Sequence, residues 1–114
     1  MTCWRDRRET LAELERVGRE RDRQEHLVFT GKFSRTCAAD DSPDAERFAV
    51  LGEELGEVSK AWLEHGARSR ELRDELIQVA AVAVAWAEYL TRAAAGGAPS
   101  GSSASPGTEG DKQP

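Results

Sequence analysis

The chain has 114 residues, 39% of them hydrophobic and 6% aromatic, which limits it to one small domain with a modest core. A net charge of −5 and a pI near 5.1 exclude a nucleic-acid binder held by phosphate electrostatics. The longest apolar stretch, Val79 to Ala87, is too short to cross a bilayer, so no membrane partner is expected. No apolar run follows the arginine-rich N-terminus, so no secretory signal is expected and the default compartment is cytoplasmic. Cys3 and Cys37 form no metal-type spacing with His26 or His65, and both thiols are expected to be free.

Residues 5–26 mix Arg, Asp and Glu with a narrow stripe of Trp4, Leu11, Leu14 and Val17, and opposite charges recur at helical separations. This predicts a charged, solvated helix. Residues 27–41 show no sustained period and are expected to be mostly loop. A second helix is predicted over 43–64. Ser42 can cap it, Pro43 suits the first helical position, Asp44 and Glu46 meet the positive end of the dipole, and His65-Gly66 stops it. Ser69 can cap a third helix over 70–95, and residues 96–114 carry a Gly/Ser/Pro composition that predicts a disordered tail. No strand-like alternation occurs, so the fold class is all-α, with residues 1–95 forming the domain.

The carboxylates of the two long helices are placed unevenly. At about 100° per residue, Phe48, Leu51, Leu55, Val58 and Trp62 make one apolar stripe that should face the core. Glu54 lies at its edge, Glu57 roughly 60° further round, and Glu53 further out. On the third helix Leu72, Leu76, Val79, Val82, Ala83 and Trp86 define the stripe. Glu75 falls inside it, Gln78 and Glu71 lie at its edge, and Asp74 points away. Trp62 and Trp86 are therefore expected in the core. Gly52 and Gly56, costly in a helix interior, suggest a close approach by another helix or a ligand.

The short connection predicts antiparallel packing, with Glu57 and Glu75 at one height and Glu54 and Gln78 one turn along. Such hard oxygen donors suit Mg²⁺ or Mn²⁺. Spacing alone allows the alternative that the acids are solvated and that Glu75 pairs with Arg68, Arg47 or Arg92.

Leu51-Gly52-Glu53-Glu54-Leu55-Gly56-Glu57-Val58, then Leu72-Arg73-Asp74-Glu75-Leu76-Ile77-Gln78-Val79, resembles the MazG-like all-α nucleoside triphosphate pyrophosphohydrolases. Their pattern is Glu-Glu-x-x-Glu, a spacer, then Glu-x-x-Asp. The resemblance runs from about Glu20 to Ala94. It implies a four-helix, magnesium-dependent site in a helical bundle with an antiparallel hairpin at its core, assembled as a dimer or dimer of dimers. By position, Glu54, Glu57, Glu75 and Gln78 are the candidate metal ligands, Glu53, the first glutamate of the motif, is the candidate catalytic residue, and either Glu53 or Glu54 is expected to orient or deprotonate water. Gln78 stands where the family has Asp, and a neutral amide oxygen should weaken divalent-ion affinity. Glu71-Leu72-Arg73-Asp74 also spells the second half of the motif, but that register turns Asp74 outward.

The expected activity is hydrolysis of a nucleoside triphosphate to a monophosphate and pyrophosphate with Mg²⁺ (or Mn²⁺), and the expected partner is a second copy of the chain. Lys60, Arg73, Arg19 and Arg23 are candidate phosphate contacts without a specific signal. The competing expectations are a non-hydrolysing nucleotide- or metal-binding module of the same fold and a helical-bundle interaction protein.

Overall fold

The computed structural model describes residues 6–96. Within them the chain forms three helices and no strand: α1 (Arg8–Phe29), α2 (Asp44–His65) and α3 (Arg70–Gly96). The all-α expectation holds, while the described residues supply three helices and not four. No helix among the described residues is long and apolar enough to cross a membrane. The expected tail lies, beyond Gly96, outside the described residues, as does Cys3.

The ends of the helices follow from local chemistry. Asp6 accepts the Arg8 backbone N–H at 2.9 Å, so α1 starts a few residues later than the charge pattern alone indicates. It also continues past residue 26. Gly31 at φ +85° lets the Lys32 N–H reach Leu27 O at 2.8 Å and its own N–H reach Val28 O at 3.0 Å, a glycine-terminated cap. Periodicity missed the last turn because Thr30-Gly31, and not the fading apolar pattern, sets the stop.

Ser42 does not cap α2. Its hydroxyl donates to Thr36 O at 2.9 Å inside the preceding loop, and Pro43 takes the cap position in an extended conformation. Gly66 at φ +100° closes α2, with its N–H on Trp62 O. Ser69 caps α3 as expected, accepting the Leu72 N–H at 3.0 Å.

The third helix is the centre of the molecule. Both α1 and α2 pack against α3 and not against one another. Cys37, Ala38, Val82 and Ala85 form the buried cluster, with Val50, Leu51 and Trp86 against it. The loop over 30–43 thus contributes to the core and is held there by two arginines. Arg47, 1% exposed, donates to Cys37 O at 2.9 Å and Ala39 O at 2.6 Å, pairs with Asp44 at 2.7 Å, and stacks 3.6 Å over the Tyr89 ring. Arg92 donates to Ala38 O and pairs with Asp40. Cys37 is a free, buried thiol whose pKa is pushed up by burial.

The expected stripe on α2 is only partly core. Val58 and Leu51 are half-buried, whereas Phe48 is 69%, Leu55 53% and Trp62 57% exposed. On α3, Val82 is buried and Trp86 half-buried, but Leu76 is 51% exposed. Burial on these two helices falls instead on small residues, Ala61, Ala81 and Ala85, and the bulkier side chains stay exposed. Among the described residues nothing comes within 4 Å of a Cβ placed at Gly52 or Gly56, so the close helix approach expected there is not found.

Candidate functional site

The hairpin places the expected acids along one flank of the α2–α3 seam. Glu54, Glu75 and Gln78 are half-buried, and Glu53 and Glu57 are exposed. Their mutual effects follow the expected register. Burial pushes the Glu54 carboxyl up, and the charges of Glu75, Glu57, Glu20 and Glu53 push it further. Burial also raises Glu75, followed by Glu57, Asp74 and Glu20, with Lys60 opposing. Each of these two carboxyls is charged only against the field of its neighbours.

Among the described residues none of Glu53, Glu54, Glu57 and Glu75 has an Arg, Lys or His nitrogen within 4.0 Å. Of the arginines that could have neutralised Glu75, Arg47 is committed to the loop and Arg92 to Ala38 and Asp40, while Arg68 lines a crevice at the α2–α3 turn and makes no ion pair with Glu75. Where other carboxyls are displaced, an arginine draws them down. Glu46 is lowered by Arg35, and Glu25 is lowered by Arg21 and Thr36 against the opposing effect of burial.

Glu53, Glu54 and Gln78 line a cleft of about 440 Å³ between α1 and α2, floored by Val82 and Ala85 of α3. That volume lies within the range of small-molecule sites. Its lining also includes Lys32 and Phe33 from the loop. Glu57 and Glu75 stand outside the cleft lining and act on it through Glu54. A second crevice of about 400 Å³, between α1 and α3, brings Arg19, Arg23 and Glu20 beside Gln78. Arg23 lines both, with Glu20 paired to it at 2.7 Å. Arg73 lies instead in a crevice at the α2–α3 turn with Arg68 and Leu72, away from the acids.

In type and charge these donors fit a hard divalent cation, since unpartnered carboxylate oxygens raised by mutual repulsion are what a cation relieves. In position they are spread out. Among the described residues no three His, Cys, Asp or Glu side chains converge closely enough to hold an ion.

Two features were not legible in the sequence. Glu20 reaches the field of the acids from α1, and its only signal there is an i, i+3 pairing with Arg23. Lys32 and Phe33 line the same cleft as Glu53 and Glu54 through the path of the loop, which no periodicity encodes. Compared with protein-family models, curated proteins and solved structures, the chain matches none.

Proposed function

We propose that this chain is a cytoplasmic, MazG-like nucleoside triphosphate pyrophosphohydrolase that cleaves between the α and β phosphates to give a monophosphate and pyrophosphate. The observation that carries the proposal is a cleft large enough for a nucleotide, lined by half-buried Glu54 and beside half-buried Glu75, neither of which has an ion-pair partner among the described residues. Glu54, Glu57 and Glu75 would hold Mg²⁺ (or Mn²⁺), with the Gln78 amide oxygen as a fourth, neutral donor. A bound divalent ion supplies charge neutralisation for a polyphosphate and acidifies water. Glu53, exposed in the cleft lining, would orient or deprotonate that water. Lys32, which lines the same cleft and has no ion pair among the described residues, would offer a point charge to phosphate oxygens.

The test is pyrophosphate release from a panel of canonical and modified nucleoside triphosphates with Mg²⁺ or Mn²⁺. Release that is lost in Glu57→Ala and increased in Gln78→Asp supports both the activity and the register. No release with any nucleotide rejects hydrolysis. Gln78 favours a second reading, a module that binds nucleotide and metal without turnover. That reading predicts metal-dependent nucleotide binding by calorimetry in a protein that releases no pyrophosphate.

A further inference from the structure

Four polar residues are buried among the described residues: Arg21, Gln24, Ser42 and Arg47. Ser42 and Arg47 direct their hydrogen bonds to the loop, and Arg21 holds Glu25 and Glu88. Gln24 is different. It is 7% exposed and lines the same cleft as Glu53, Glu54 and Gln78. Arg21 Nη1 donates to its Oε1 at 3.1 Å. A guanidinium has donors only, so it meets the amide through the oxygen, and the amide NH₂ is left for other partners. Among the described residues that NH₂ donates to nothing. It is not sealed off, since the unbonded side-chain nitrogen without surface is Arg16 Nε. Gln24 meets open space in the cleft, where a ligand oxygen could take the idle donor.

The contacts of α1 place Gln24 along the cleft. Arg16, Arg19 and Glu20 share a crevice with Asp74, Ile77 and Gln78. Further along both helices, Arg21, Glu25 and Val28 share one with Glu88 and Arg92. The two helices therefore run in the same direction, and Gln24 lies beyond the level of Gln78. Val82 and Ala85, which line the cleft from α3, stand about 6 and 10 Å past Gln78 at about 1.5 Å per residue. Phe33, from the loop, brings an exposed ring to the same cleft, a surface on which any base can stack.

We propose that Gln24 reads the nucleobase, donating its amide N–H to an oxo group on the edge furthest from the sugar, while Phe33 stacks on the ring. This rests on the nucleotide reading above, with the phosphates at the acids and the base further along the cleft. The substrate class is then a nucleoside triphosphate with an oxo group at pyrimidine C4 or purine C6. An amino group at that position sets donor against donor and leaves the buried amide unpaired. Because Arg21 fixes the amide oxygen, the side chain cannot turn over to accept from an amino base.

The test is kcat/KM for pyrophosphate release from UTP against CTP and from ITP against ATP, in ribo and deoxy forms, with Mg²⁺. Titration calorimetry with the corresponding monophosphates reads the same preference without turnover. The wild type should favour the oxo member of each pair by about 10-fold or more. Gln24→Glu keeps an acceptor for Arg21 but removes the donor, and it should abolish or reverse both ratios. Phe33→Ala should weaken both members of each pair alike and leave the ratios unchanged. If Gln24→Glu fails to fold, the wild-type ratios decide. Release from all four nucleotides with ratios near one would overturn this assignment and leave the hydrolase reading standing, as would a folded Gln24→Glu that keeps the wild-type ratios. A wild type that neither cleaves nor binds any nucleotide would overturn both.

Discussion

The two seams of α3 treat carboxylates in opposite ways. Against α1, Arg21 spans the gap to Glu88 at 2.8 Å and holds Glu25 at 2.7 Å, and near the same end Arg92 holds Asp40 at 2.9 Å. Against α2, four glutamates share one flank, and among the described residues none has a cation within ion-pair distance. A protein with sixteen Lys and Arg residues has the means to neutralise them, and it uses its arginines on the loop and on α1. One seam is arranged for stability. The other keeps repulsion that a cation could remove.

Several substitutions break or sharpen this contrast. The largest effect is expected at Arg47, whose loss leaves Cys37 O and Ala39 O without a donor and frees the loop that forms one cleft wall. Arg47→Ala should cost about 3 kcal/mol, on the order of 10–20 °C in Tm, read by thermal denaturation. On the acidic seam, Glu57→Ala should lower kcat for pyrophosphate release by roughly 100-fold or more while leaving the fold intact by circular dichroism.

Acid titration should separate the seams by sign. Glu54 and Glu75 have folded pKa values raised above the unfolded ones, so their contribution to stability is fully present below the unfolded pKa and is lost as pH rises through the folded pKa. Glu25 and Glu46 have lowered values, and their contribution is present above the unfolded pKa and lost as pH falls through the folded pKa. Without metal, Tm should therefore rise as pH falls from neutrality toward the ordinary glutamate value of about 4.3, then fall below it. In Glu54→Gln with Glu75→Gln the rise should disappear while the fall remains. The smallest effect is expected at Lys32, where Lys32→Ala should raise KM by about 3- to 5-fold with kcat little changed.

The helices, the Ser69 cap and the antiparallel register were all legible, because each depends on spacing within a few residues or on a short connection. That Glu54 and Gln78 line one cleft, and that Glu57 acts on Glu75, accords with that register. The route of the loop was not legible. It depends on Arg47 and Arg92 reaching carbonyls 8 to 54 residues away in sequence. The stripe on α2 was recognisable as apolar but not as exposed, since a helical period reports that a face avoids water and not what covers it. Phe48, Leu55 and Trp62 show this most clearly, since burial falls on alanines and those larger residues stay exposed.

The most direct measurement is the melting temperature of the wild type with and without millimolar Mg²⁺ at neutral pH, beside Glu54→Gln with Glu75→Gln. If the acidic seam is a cation site, Mg²⁺ should raise the wild-type Tm, and the double variant should start higher without metal and gain nothing from it. A wild type indifferent to Mg²⁺, or a double variant that gains as much as the wild type, would contradict a metal site on Glu54, Glu57 and Glu75.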